Sequence, residues 1–458
     1  MSFNEIILKK IIFKPKITFL SLAVGMLIFI VSPYEFKLNA AIFLSIEALI
    51  LWGASAMDNA IISVLFLAGA TSLSLAPYKI LFQFPATENF YLIILSYLIT
   101  KGVTDTGTAS VISKSIMEKI AKTPIKLIFF SYIAGFLLIF FIPQPFPRVI
   151  LLAAFYREFF KSQNLTADSK EILYFSIFTA STFTSMFFMS GDMLLNYVVV
   201  AISGAQINWA QWALYMSLPA SVTCILTFIL FIAVFKKEIK NSHFIISEKK
   251  KKKVFLTVEQ KKMFFICLII FIGFASQSSH HMKSVYIMLI GVILGFALKI
   301  IKLDAIKNIN WKLLIFFTGA FSVGGVLNYS GAADIITKKL LVLVPSGNFN
   351  EKIIFLIIIT LILNFFLGSA VTTSSVVIPT IAQLGILPPH SAVLTLFVYT
   401  VVSIQYILPF HHATVMVGFG EGLYGNKVII KYGILLTILT FFIVLYICIP
   451  WWKFIGIL

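Results

Sequence analysis

A few polar residues stand inside otherwise apolar stretches of this chain, and their types suggest ionic chemistry. Arg148 closes the run Pro143-Gln144-Pro145-Phe146-Pro147-Arg148, which it shares with the amide of Gln144. An arginine at membrane depth costs about 3 kcal/mol on insertion scales, so it usually faces a partner or a substrate. Its planar fork fits a carboxylate or sulfate better than a lysine does. Two blander roles stay open: snorkelling to an interface, or neutralising Asp192. Asp192 ends the segment Ser185-Met186-Phe187-Phe188-Met189-Ser190-Gly191-Asp192, in which Ser185, Ser190 and the carboxylate offer oxygens to a coupling cation or a proton. Asn196 follows it. In the second half, His411 and His412 come just after the helix breaker Pro409, and one of them could hold a substrate oxygen or titrate near neutral pH. Adjacent residues do not share a helix face, so at most one of the pair belongs to a site. Thr372 and Thr373 place hydroxyls beside Gly368, although such hydroxyls also bond helix carbonyls with no ligand involved.

The elements that position these residues must lie in a bilayer. The chain has 458 residues, of which 60% are hydrophobic and 12% charged, with a mean hydropathy of +1.00. A soluble chain carries about twice that charged fraction, which excludes a water-soluble enzyme. Roughly a dozen apolar runs, each about as long as a bilayer is thick, are separated by short polar stretches. The expected fold is an all-α membrane protein of about 11 transmembrane helices plus two opposed re-entrant hairpins, with an inverted repeat and two broken helices.

Loop charge supplies the topology. Residues 236–262 carry ten lysines, including the block Lys249 to Lys253, against three glutamates. Lys9, Lys10, Lys14 and Lys16 precede the first apolar run, so the positive-inside rule puts both regions in the cytoplasm. Alternating prolines at 143, 145 and 147 forbid a continuous helix through the run 127–157, and a hairpin that enters and leaves on one side keeps the parity even. The run 352–387 is interrupted from Gly368 to Ser375 and reads as a second hairpin entering from the opposite face. Two broken helices are expected at about 172–202 and 391–420. Phe140-Phe141-Ile142-Pro143 and Phe365-Phe366-Leu367-Gly368 precede the two hairpin breaks at a spacing of 225 residues, and Gly107 and Gly331 close matching runs at a spacing of 224. The expected organisation is an N-terminal segment with the first helix (1–35), a first repeat (36–235), a basic cytoplasmic loop (236–262) and an inverted second repeat (263–458).

Breaking a helix in hydrocarbon strands amides and carbonyls, so such breaks persist around a cavity or a bound ion. This points to a secondary active transporter of a small anion that works by alternating access, fuelled by an ion gradient or by exchange. No Gly-x-x-x-x-Gly-Lys phosphate loop is present. A membrane-embedded enzyme acting on a lipid-linked substrate is one alternative, weakened by the isolation of the six aspartates from one another. An anion channel is another. The net charge of +18 is almost all lysine, since only Arg148 and Arg157 are arginines, and no basic stripe with interleaved aromatics marks a nucleic-acid groove. Cys224, Cys267 and Cys448 have unrelated spacings, which suggests neither disulfides nor a metal site, and no cofactor is expected beyond a coupling Na⁺ or H⁺.

Ile309-Asn310-Trp311-Lys312-Leu313-Leu314, Gly319-Ala320 and Ser330-Gly331-Ala332-Ala333, with Leu408-Pro409-Phe410-His411-His412 leading to Phe419-Gly420, resemble the divalent anion:sodium symporter family of dicarboxylate, citrate and sulfate carriers. The resemblance covers nearly the whole chain. It implies sodium coupling, a di- or tricarboxylate or sulfate-like substrate, a homodimer, and a multi-pass protein in the bacterial inner membrane with a cytoplasmic N-terminus. Members of that family place Ser-Asn-Thr at each hairpin tip for substrate and sodium. Here the first tip reads Pro-Gln-Pro-Phe-Pro-Arg and the second Ser369-Ala370-Val371-Thr372-Thr373, so Ser369 alone of those motifs carries over to the substrate and cation sites. The Pro-Pro-Asn of relatives stands here as Leu194-Leu195-Asn196, which brings Asn196 to the substrate site by resemblance.

Overall fold

The computed structural model describes residues 14–31, 33–53, 56–111, 117, 120–142, 144–161, 163–242, 244, 256–332, 335, 338–339, 342–367 and 370–458. Among these residues the regular structure is helical throughout. The principal helices are α1 (Pro15–Val31), α2 (Phe36–Gly53), α3 (Asn59–Ser72), α4 (Glu88–Thr106), α5 (Pro124–Leu138), α6 (Pro145–Lys161), α7 (Ala167–Thr184), α8 (Asn196–Ser203) and α9 (Trp209–Val234). They continue as α10 (Val258–Ala275), α11 (Ser284–Ala297), α12 (Trp311–Tyr329), α13 (Phe349–Leu367), α14 (Ala370–Leu384), α15 (Ala392–Ile404), α16 (Ala413–Gly420) and α17 (Asn426–Ile443).

Local sequence explains where these helices begin and end. Side chains at the N-termini take up amides that the helix itself leaves orphaned: Asp58 for α3, Thr123 for α5, Thr166 for α7 and Asn310 for α12. Asn208 with Gln211 and Thr257 with Gln260 form reciprocal capping boxes at α9 and α10. Gly107 and Gly331, the two glycines at matching places in the sequence, follow α4 and α12 and take φ of +68° and +79°. A residue with a side chain would be strained at either position. Among the described residues, Trp209–Val234, Trp311–Tyr329 and the continuous stretch Asn426–Phe454 are each long and apolar enough to cross a bilayer. Outward-facing Ile225, Ile229 and Ile438 on the first and last of these are exposed, as lipid-facing side chains are. The chain is an integral membrane protein.

Two compact units divide the chain. The first comprises residues 1–90, 201–204 and 310–402; the second comprises 91–200, 205–309 and 403–458. In the first, α12 packs on α3, α14 and α2, and α1 packs on α2. In the second, α7 is the central helix, with α5, α6, α9 and α16 against it. A buried hydroxyl cluster ties three of these helices: Ser131 Oγ of α5 lies 2.6 Å from Tyr156 Oη of α6 and 3.1 Å from Ser176 Oγ of α7. Lys9, Lys10 and the block Lys249 to Lys253, on which the expected topology rests, lie outside the described residues.

Candidate functional site

The second unit contains two places where transmembrane backbone stops being helical, together with the hairpin α5–α6. In the hairpin, α5 ends at Leu138 and α6 begins at Pro145, its first helical residue, where a missing amide removes no hydrogen bond. Pro143 lies outside the described residues. Gln144, immediately before α6, is fully buried and donates from Nε2 to Ser96 Oγ at 2.6 Å. Its Oε1 has no hydrogen-bond partner among the described residues. One turn further on, Arg148 is 0% exposed. Its Nη2 donates to Ser185 Oγ and to the carbonyl oxygen of Gly191, both at 2.7 Å. Its Nε and Nη1 are buried and have no partner among the described residues.

The first broken helix supplies those acceptors. α7 stops at Thr184, a short 3-10 turn covers Met189–Gly191, and α8 starts at Asn196. Side chains satisfy much of the freed backbone between them. Asn196 Nδ2 donates to the carbonyls of Ser185 (3.2 Å) and Phe188 (3.0 Å), and Trp212 Nε1 donates to that of Met186 (3.1 Å). Asp192 Oδ1 accepts from the amides of Leu194 (3.0 Å) and Leu195 (3.2 Å). Asp192 therefore acts as a cap, and among the described residues it forms no ion pair within 4.0 Å of Arg148. Ser190 Oγ accepts from Trp209 Nε1 at 3.0 Å, and Ser185 Oγ donates to the Ser181 carbonyl at 2.6 Å. Gly191 is required by proximity, since a Cβ there would sit 2.2 Å from the Ser185 carbonyl oxygen.

At the second break, a 3-10 turn at Pro409–His411 precedes α16. His411 is fully buried and turns back into its own loop, its Nδ1 accepting from the amides of Ile407 (3.1 Å) and Leu408 (3.3 Å). That fixes the neutral tautomer with the proton on Nε2. The adjacent His412 points elsewhere: its ring meets Tyr406 edge-on at 6.1 Å, and its buried Nδ1 has no partner among the described residues. Gly433 of α17 lets this break come close, because a Cβ there would lie 2.0 Å from the Tyr406 carbonyl oxygen.

The first unit holds the hairpin α13–α14. Gly368 and Ser369, which separate these helices in the sequence, lie outside the described residues. Thr372 and Thr373 fall in the first turn of α14 and are fully buried, and Thr373 Oγ1 donates to Asn364 Oδ1 of α13 at 2.9 Å. That bond crosses between the two arms of the hairpin.

Ser185 thus joins Arg148 and Asn196, with Ser190 and Asp192 in the same loop. Ser96, Trp209, Trp212 and Asn364 were missed in the sequence because each acts through a bond to another segment of the chain. Trp209 and Trp212, three residues apart at the start of the helix after the break, were the one signal available. Among the described residues, no group of three or more His, Cys, Asp or Glu is placed to hold a metal ion. A wholly buried guanidinium with two N–H sites unused can take an oxyanion. Charge-assisted bonds of this kind are about twice as strong as neutral ones.

The sequence pattern of the sodium:sulfate symporter transmembrane region matches residues 15–458. An uncharacterized transporter of Methanocaldococcus jannaschii is 30% identical over 156 residues, which is 34% of this chain and 35% of that protein. The chain is thus matched to about a third of the length of that curated relative. Among solved structures, the YdaH transporter of Alcanivorax borkumensis, described as having an unusual topology, is similar with a TM-score of 0.55 at 12% identity, covering 85% of this chain and 90% of that one. At that identity the likeness concerns the fold alone.

Proposed function

The chain belongs to the sodium:sulfate symporter family, and from that premise we propose that it is a secondary active transporter of a small oxyanion, a di- or tricarboxylate or sulfate, driven by sodium. One observation carries the choice of cargo: Arg148 is fully buried without an ion pair among the described residues, and Nε and Nη1 are left over once Nη2 has bonded Ser185 and Gly191. Asp192 in the same loop offsets part of that buried charge without making an ion pair, and an arriving anion offsets more of it. Nε and Nη1 point to different edges of the guanidinium, so each offers one charge-assisted bond to an anion oxygen while Nη2 stays on Ser185 and Gly191. Asn196 and Asp192 hold the loop that carries the Ser185 and Gly191 acceptors, so they orient the guanidinium and do not take the anion themselves. Alternating access around the broken helices moves the loaded site from one side of the membrane to the other. A homodimer in the bacterial inner membrane is the proposed assembly and location.

Reconstitution in liposomes with imposed sodium or proton gradients and a panel of labelled anions tests this reading. Sodium-driven accumulation against a concentration gradient is the expected result. Arg148→Ala is expected to abolish uptake while the protein still elutes as a single folded species, and Arg148→Lys to retain less than about a tenth of it. Wild-type uptake by both variants would remove Arg148 from the anion site. Dissipative flux without accumulation would make the protein a channel, and turnover of a lipid-linked substrate would make it an enzyme.

A further inference from the structure

The first unit contains an acid that anion transport does not use. Glu47 lies within the apolar helix α2, six residues before its terminal Gly53, and is 6% exposed. Ser21 Oγ of α1 is 2.7 Å from Glu47 Oε1 and also 3.0 Å from the carbonyl oxygen of Thr18. Glu47 Oε2 is buried and has no partner among the described residues. The charges on α2 and on the helices packed against it lie elsewhere. Lys37 is in the first turn of α2, Lys16 is in the first turn of α1, and Glu351 and Lys352 are near the start of α13. Asp58, the cap of α3, is paired with Lys312 of α12 at 2.7 Å. Among the described residues none of them comes within ion-pair distance of Glu47.

A hydroxyl has one proton, yet Ser21 Oγ lies within hydrogen-bond distance of two oxygens. A carboxylate at Glu47 leaves one of those contacts without a hydrogen and adds a bare charge between apolar helices. A proton on Oε1 removes both difficulties: Glu47 donates to Ser21 Oγ, and Ser21 donates to the Thr18 carbonyl. Oε2 is then a neutral carbonyl oxygen, for which a missing partner costs far less than for a charged one. We propose that Glu47 is a proton-binding site within the membrane, held as the carboxylic acid and fastening α1 to α2 through Ser21. Loss of that proton breaks the relay between α1 and α2. The site is independent of the anion-binding reading and stands or falls without it.

Infrared difference spectra of the full chain in liposomes, wild type minus Glu47→Gln, test the protonation directly. The expected result at neutral pH is a carboxylic-acid carbonyl stretch present in the wild type, missing in Glu47→Gln, and displaced in Ser21→Ala. A second expected result is adduct formation at Glu47 by an apolar carbodiimide, strongest at acidic pH and absent with a water-soluble carbodiimide. A wild-type spectrum that shows Glu47 as carboxylate from acidic to neutral pH would overturn the proposal. So would labelling by the water-soluble reagent alone, since it would place the group in contact with bulk solvent.

Discussion

The two helix breaks of the second unit solve one problem with different materials. In the first, between Thr184 and Asn196, freed carbonyls and amides are taken up by side chains from three helices and from the loop itself: Arg148, Asn196, Trp212 and Asp192. In the second, around Pro409, a single neutral imidazole of the same loop takes up two amides. Each break is approached so closely by backbone that only glycine fits, at Gly191 and Gly433. What remains after the backbone is satisfied differs in kind. The first break keeps a cationic fork with unused donors; the second keeps an uncharged imidazole nitrogen and the Tyr406 hydroxyl. Leftover charge, more than the break itself, singles out the place where an ionic cargo is held.

Gly191→Ala puts a methyl group into the Ser185 carbonyl, and we expect a loss of uptake of at least about a hundredfold, because shifts of about 1 Å at a positioned site have that scale. Liposome flux at matched protein content checks it; near-normal flux would mean that the loop geometry is irrelevant to transport. Next in size, Arg148→Lys is expected to raise KM for the anion more than about tenfold, whereas His412→Gln leaves it within about twofold. Equal effects would erase the distinction between the charged break and the neutral one. Asn196→Ala and His411→Ala each strand two backbone groups, and a loss of about 1–3 kcal/mol of stability is expected from each, read as a lowered unfolding midpoint in detergent. Smallest is Tyr156→Phe, which removes one member of the hydroxyl cluster holding the hairpin to α7 and should cost about 1 kcal/mol with KM unchanged.

Much of this architecture was written in residue types. The mean hydropathy and the spacing of apolar runs called for an all-α membrane protein, and the regular structure among the described residues is helical. Proline explains why α6 starts where it does: Pro145 takes the one helical position that needs no amide. Arg148 stood out because an arginine is rare at that depth. The orientations of polar side chains were not legible. Asp192 could equally have met a cation, a proton or the arginine, and only the path of the chain turns its carboxylate onto Leu194 and Leu195. The two histidines could be told apart in principle, since adjacent residues diverge, but not which one turns inward. Partners such as Ser96 and Trp212 were hidden because periodicity along one segment says nothing of what another segment brings to it.

Trp209 and Trp212 bond to Ser190 and to the Met186 carbonyl, so two of the six indoles of this chain are wired directly to the first break. Their emission is a built-in reporter: a solute that reshapes the loop must alter the polarity and hydrogen bonding felt by these rings. Cargo screening by intrinsic fluorescence therefore needs no label, and replacing the two tryptophans by phenylalanine supplies its blank.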